Sequence, residues 1–306
     1  MRLVQDAEVW TDQLKFLKNK DPRVRRAAAT NLGRLGAEAK FAIAPLRQRL
    51  TDADPRVRCG AATALGEIGP AAVDEMIQAL KLPDKLVRRE AVWGLAKIGK
   101  EAAPAMPALA RALADRDTSV RKGAARALGL LGHLARPAIP YLIRSLGDTD
   151  LLFCRMAAWA LGQMGAAAVD ALIAALNHHD KYVRREAAWA LGQIGPEAAA
   201  AVPKLIAILK ADLEESGLED FSAPPLPKIQ AHQDTEVVYF HPIPDSTLRA
   251  NAAQALGQMG NKAISAIPVL TAALADPSDK VAQAAAAAID QLTEETCTGW
   301  HLKAAG

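Results

Sequence analysis

The sequence predicts an all-α solenoid of about eight stacked helix pairs. Three observations carry that expectation. A helical signature, V-R-x-x-A-A-x-A-L-G-x-I-G, starts eight times, at Val24, Val57, Val87, Val120, Phe153, Val183, Leu248 and Val281. The starts lie 33, 30, 33, 33, 30, 65 and 33 residues apart, a period that belongs to stacked repeats. Composition agrees: 51% of the 306 residues are hydrophobic but only 4% are aromatic, so small side chains must let helices approach closely.

In chain order, a helix near residues 7–18 pairs with the first signature helix. Within each signature, positions 1, 5, 9 and 12 (Val87, Ala91, Leu95 and Ile98 in the third copy) recur at helical spacing and form a buried stripe. An aspartate three residues before position 1 offers an N-cap: Asp21, Asp54, Asp84, Asp117, Asp150, Asp180 and Asp245, with Ser278 in the eighth copy. Glycine closes seven of the helices, from Gly36 to Gly260, as a left-handed C-cap. A second helix follows. The 33-residue units carry Pro45, Pro107, Pro140, Pro203 or Pro268 in it, where proline starts or kinks a helix; the 30-residue units carry Asp74 or Asp170 instead. The 65-residue interval holds one insertion, residues 211–246. The last repeat replaces arginine with Ala282 and glycine with Asp290, as a terminal cap does, and residues 294–306 form a tail; Trp10 and Trp300 are expected to cover the ends of the core.

Net charge is +3, too small to name a partner. Cys59, Cys154 and Cys297 show neither disulfide nor zinc spacing. The N-terminal MRLVQDAEVW lacks an apolar core, and no run nears 18 apolar residues, so a soluble, cytoplasmic chain without membrane contact is expected.

The runs DPRVRRAAATNLGRLG, DTSVRKGAARALGLLG and DKYVRREAAWALGQIG resemble the HEAT-repeat superfamily, in particular the bacterial PBS-lyase HEAT-like repeats. That resemblance implies a right-handed superhelix of HEAT-like pairs, with the signature helix lining the concave face. Relatives of this kind include bilin lyase subunits, deoxyhypusine hydroxylase and many proteins that bind other proteins. The hydroxylase holds iron with His-Glu pairs. This chain has no His-Glu dipeptide, and its six histidines recur at no repeat position, so no metal or other cofactor is expected.

In a stack of this kind, function resides where the copies differ. Positions 3, 4, 7 and 11 vary and fall on one stripe opposite the packed alanines. Position 7 places Trp93, Trp159 and Trp189 on one track, with Arg126 between the first two. Exposed aromatics of this kind offer large contact area at low entropic cost. Position 3 supplies Arg89, Lys122, Arg155 and Arg185, and position 11 supplies Lys97, Gln163 and Gln193. With Arg26 and Arg34 the stripe holds eight cations against Glu67, Glu90 and Glu186, a formal excess of five. The position-2 arginines (Arg25, Arg58, Arg88, Arg121, Arg184 and Arg249) are expected to form a ladder between repeats.

The insertion, ADLEESGLEDFSAPPLPKIQAHQDTEVVYFHPIPDS, carries −7 against +10 for the remainder. Its prolines exclude a helix around residues 224–227, and Glu236–Phe240 has a strand-like composition. Two readings stand: a solvated loop, or a lid whose Phe221, Tyr239 and Phe240 lie against the basic groove.

The leading functional reading is a scaffold for an extended, acidic protein or peptide segment. A bilin-lyase-like protein handling a linear tetrapyrrole is the alternative, since tryptophan and arginine suit pyrrole rings and propionates. Nucleic-acid binding stands third, because basic residues interleave with aromatics. No nucleophile–base pair or phosphate loop points to an enzyme.

Overall fold

Each repeat begins by fixing its own N-terminus. Asp21, Asp54, Asp84, Asp117, Asp150 and Asp180 are extended and accept a backbone N–H from the first turn of the helix that follows. A computed structural model describes residues 10–215 and 246–303, with side chains over 10–210 and 246–293. The described residues contain helices and no strand. Two compact units arise, Met1–Ala171 and Leu172–Gly306.

The first unit holds α1 (residues 10–16), α2 (Pro22–Gly33), α3 (Ile43–Arg49), α4 (Pro55–Ile68), α5 (Val73–Ala79), α6 (Lys85–Ile98), α7 (Met106–Ala112), α8 (Thr118–Leu131), α9 (Ile139–Ser145) and α10 (Leu151–Gln163). The boundary falls within α11 (Val169–Ala175). The second unit continues with α12 (Lys181–Ile194), α13 (Val202–Glu215), α14 (Ser246–Gln258), α15 (Ile267–Ala273) and α16 (Asp279–Lys303). In the first unit α2, α4, α6, α8 and α10 stack in sequence as one layer, and α3, α5, α7 and α9 each pack on the signature helix that follows. In the second, α12, α14 and α16 stack while α13 and α15 pack on α14 and α16. Each unit is thus an all-α solenoid segment.

The expected second helix is two pieces. A 3-10 segment of seven residues (Gly36–Ala42, Gly99–Ala105, Gly132–Ala138, Gly195–Ala201, Gly260–Ala266) leads into a short α-helix. The 30-residue units shorten that segment to Pro70–Ala72 and Gly165–Ala168. Proline starts the α-helix rather than kinking it: Pro107, Pro140 and Pro268 sit in its first two positions, where an amide would lack a partner. Asp74 and Asp170 occupy the same first turn and complement the helix dipole.

The closing glycines also differ from expectation. Gly69 and Gly99 have φ of 88° and 70° with ψ of −144° and −133°, outside the left-handed helical region and in one open essentially to glycine alone. The backbone reverses there to enter the 3-10 segment instead of ending in an ordinary C-cap.

Signature helices approach closely at position 10. A Cβ added at Gly33 would stand 2.8 Å from the Ala64 Cα, and one at Gly66 3.1 Å from the Gly94 Cα. The same contact recurs in the second unit, where Gly192 meets Ala255 and Gly257 meets Ala288. Burial extends over positions 5, 6 and 9, wider than a single amphipathic stripe, because each inner signature helix touches both neighbours and the second layer.

α13 runs to Glu215, so residues 211–215 are helical rather than loop. Phe221, Tyr239 and Phe240, with the strand-like stretch around them and the N-cap Asp245, lie outside the described residues. So do the side chains of the tail, including Trp300.

Candidate binding site

The position-2 arginines build the expected ladder, but onto a different aspartate. Arg25, Arg88 and Arg249 clasp Asp52, Asp115 and Asp276 in two-bonded forks of 2.7 to 3.2 Å, and Arg121 reaches Asp148 at 3.1 Å. These aspartates precede the N-cap by two residues. Each also accepts the N-cap's own amide, as in Asp117 N to Asp115 Oδ1 at 2.8 Å. In the second copy, one of the two 30-residue repeats, Leu82 stands in that place and Arg58 bonds the N-cap Asp84 itself at 2.6 Å. The same guanidinium closes the loop ahead of its own helix: Arg88 Nη1 donates to the carbonyls of Leu82 and Pro83 at 3.0 and 2.8 Å. These arginines are structural. The D-x-D spacing in TDADP, ADRDT and GDTDL is the signal that locates their partners.

The variable face resolves into three positions rather than four. Position 4 turns toward the adjacent signature helix: Gly123 and Glu186 are buried, and a Cβ at Gly123 would meet the Val92 side chain at 2.3 Å. Glu90 accepts from the Thr63 hydroxyl at 2.9 Å instead of an arginine, while Glu186 lies 3.5 Å from Arg185.

Positions 3, 7 and 11 remain accessible. In the first unit, Trp93 is 41% exposed, and the Arg126 guanidinium sits 5.8 Å from its ring centroid, within cation–π range. Trp159 is half-buried because its ring lies across Gly129, where a Cβ would approach the ring to 2.4 Å. Gln163 is exposed. In the second unit, Trp189 is half-buried, Gln193 is exposed, and Arg185 lies over the Tyr182 ring at 5.3 Å. The structure therefore joins Trp93 with Arg126 on an open face, whereas Trp159 is partly a packing residue.

Much of the predicted basic excess is neutralised within the first unit. Arg89 forks onto Asp117 at 2.6 and 2.7 Å, Lys122 meets Asp150 at 3.0 Å, and Lys97 pairs with Glu67. Asp117 and Asp150 reach this face as N-caps of the next helix, and their charges remove two from the expected excess of five. The Arg89 guanidinium, with backbone donors from Val120 and Ser119, outweighs burial and holds the Asp117 carboxyl down at about 2. Arg155 is half-buried on the same face.

Cations without a carboxylate partner gather elsewhere. Arg23, Arg26, Arg34 and Arg56 form no ion pair among the described residues, and all four line one open pocket of about 590 Å³ between α2 and α4. Arg26 and Arg34 belong to the expected stripe. Arg23 and Arg56 were not singled out, although the PRVR tetrapeptide occurs only in the first two copies.

Among the described residues, no group of three histidine, cysteine or acidic side chains could hold a metal ion, and no helix is long and apolar enough to cross a membrane.

Comparison with known proteins places these observations. The profile for HEAT repeats matches residues 43–106, 73–158, 154–216 and 242–296. No curated protein matches the chain. Among solved structures, an engineered protein is 24% identical over 95% of this chain and 80% of its own, with a TM-score of 0.50. The complex of CpcE and CpcF of phycocyanin lyase from Nostoc sp. is 22% identical over 85% of this chain and 92% of its own, with a TM-score of 0.44. Human deoxyhypusine hydroxylase is 22% identical over 96% and 98%, with a TM-score of 0.38.

Proposed function

This chain belongs to the HEAT-repeat family, and on that footing we propose that it is an interaction scaffold holding an extended, acidic protein segment on the accessible face of its signature helices. The observation that carries the reading is Trp93, a large aromatic left 41% exposed with Arg126 stacked over it. At 41% exposure Trp93 forgoes under half of a full burial worth about 1.5–3 kcal/mol for a large apolar side chain, so about 1 kcal/mol that a partner's apolar side chain would recover. Arg126 supplies a charge for a neighbouring carboxylate, and Lys97 and Gln163 extend the polar surround. In the second unit, Trp189, Arg185 and Gln193 offer the corresponding positions. Pairing of Arg89 and Lys122 with aspartates makes the attraction local rather than a uniformly basic groove, so charge here serves register more than bulk affinity.

The test is affinity capture from lysate of the source organism, comparing the intact chain with Trp93→Ala and Arg126→Ala. Both side chains are exposed, so helicity and melting should be unchanged in either variant. The expected result is one acidic protein retained by the intact chain and lost from both variants, its acidic segment then binding the purified chain directly. Identical captures by all three would sink the proposal. A coloured species lost instead would transfer the site to a tetrapyrrole.

A further inference from the structure

The pocket between α2 and α4 gathers four arginines that form no ion pair among the described residues. In the third and fourth copies the position-3 cation reaches the N-cap aspartate 28 residues on, as Arg89 does Asp117 and Lys122 does Asp150. Arg26 stands in the same register to Asp54 but forms no ion pair with it. Asp54 caps α4, accepting the Arg56 amide at 2.7 Å, as Asp117 and Asp150 cap theirs. Arg34 forms no ion pair either: Glu67, at the same position on the next helix, engages Lys97 of the third copy instead. Arg23 and Arg56 add two more guanidinium groups, and Thr30 and Asn31 supply hydroxyl and amide groups to the same wall.

We infer that this pocket is a binding site for a phosphate monoester carried on an extended protein segment, such as a phosphorylated serine or threonine. Four arginines and one capping carboxylate line the pocket. A carboxylate ligand has two oxygens and satisfies one guanidinium fork. A phosphate monoester brings three acceptor oxygens and a charge of about −1.5 to −2 at neutral pH, and so engages several forks at once. Arginine rather than lysine lines the wall throughout, as bidentate recognition of phosphate favours.

The second observation concerns the shape of the ligand. An adjoining pocket of about 500 Å³ shares Arg26, Thr30 and Arg56 with the first and continues along Cys59, Thr63 and Leu86. That second stretch is largely uncharged, with Leu86 exposed. A continuous trough with a cationic end and an apolar end suits a chain that carries phosphate on one residue and an apolar side chain on a neighbour. A free phosphate ion would use only the first part. The inference rests on the scaffold reading for the class of partner, but uses no residue of the Trp93–Arg126 site.

The experiment is calorimetric titration of the full chain, at low and moderate salt, with a short Ala-Gly peptide bearing one phosphoserine flanked by leucine. The same peptide with unmodified serine, the same peptide with glutamate, and inorganic phosphate are the comparison probes. The phosphopeptide should bind at least about tenfold more tightly than any of the three, and Arg26→Gln with Arg34→Gln should remove at least about tenfold of that affinity. Arg26 and Arg34 are exposed and their side chains form no hydrogen bond or ion pair among the described residues, so circular dichroism should find the double variant folded. Arg116→Gln, an exposed arginine outside the pocket, and Trp93→Ala should both bind like the parent chain. Glutamate or serine peptide binding as well as the phosphopeptide would overturn the inference, as would a double variant with unchanged affinity. Inorganic phosphate binding as tightly as the peptide would also overturn it, by reducing the site to a free-ion pocket. Loss in Trp93→Ala alone would place the peptide on the other site and leave the scaffold reading standing without this one.

Discussion

Replacing Arg88 with methionine tests the ladder at its best-defined rung. The side chain makes two bonds to Asp115, of 2.7 and 2.9 Å, and two to the carbonyls of Leu82 and Pro83. Both partners of the ion pair are only 14% exposed. Asp115 pays for its burial through Arg88, whose hydrogen bond and charge, with the Asp117 amide, bring its carboxyl below the usual range although burial pushes it up. Methionine retains the aliphatic stem but leaves Asp115 with the Asp117 amide alone. It also returns two loop carbonyls to whatever water can reach them. Removing one member of a buried pair costs about 3–5 kcal/mol, and an exposed pair contributes about 0–1. Partial exposure puts this rung near the lower end of the buried range, about 3 kcal/mol. Urea unfolding followed by circular dichroism measures it, with amide exchange locating the loss, since a repeat stack can unfold piecewise. Exchange should quicken first around residues 82–88 and 115–120. A double-mutant cycle with Asp115→Asn should show a coupling of about 1.5–2 kcal/mol. Single-variant losses under about 1 kcal/mol, or strict additivity in the cycle, would refute the view that these arginines hold successive repeats together.

Two further expectations follow from the same packing. Gly129→Ala should destabilise the first unit by about 1–2 kcal/mol, because the new methyl meets the Trp159 ring at 2.4 Å and the Ala160 Cα at 3.1 Å, a strain that exceeds the gain in helix propensity. Adding Trp159→Leu should restore the lost stability, and a single variant as stable as the parent would show that the ring does not need the glycine. Asp117, held at about 2 against an ordinary 3.8, contributes stability that is fully present above pH about 3.8 and is lost as pH falls through 2. The 34% exposure of Arg89 reduces that contribution to about 1–2 kcal/mol. Urea midpoints at about pH 6 and pH 2.5 should converge for Asp117→Asn relative to the parent; an unchanged acid slope would mean that Asp117 is not the group responsible.

The repeat, its caps and its aspartate–arginine rungs were legible in the chain because each depends on residues at fixed sequence offsets. An N-cap needs a side-chain oxygen next to the first turn, and a helix needs apolar residues at its own period; both requirements are local, and they recur in every copy. Gly69 and Gly99 were located as closing residues, but not their backbone geometry, because that depends on the 3-10 segment they enter. The choice between Asp115 and Asp117 as Arg88's partner was likewise beyond the repeat pattern alone, since both stand within reach and only packed loops select one. The binding surface shows the same division. Sequence placed Trp93, Trp159 and Trp189 on one track and counted the charges beside them. Tertiary structure decided that Trp93 lies open under Arg126 while Trp159 covers Gly129. It also decided that Arg89 and Lys122 are held by the next helix's caps, and that Arg23, Arg26, Arg34 and Arg56 line one pocket and form no ion pair among the described residues. Periodicity fixes which face a residue occupies, but exposure and charge pairing depend on what the neighbouring helix places 27 to 30 residues away, and that is settled only when the helices pack.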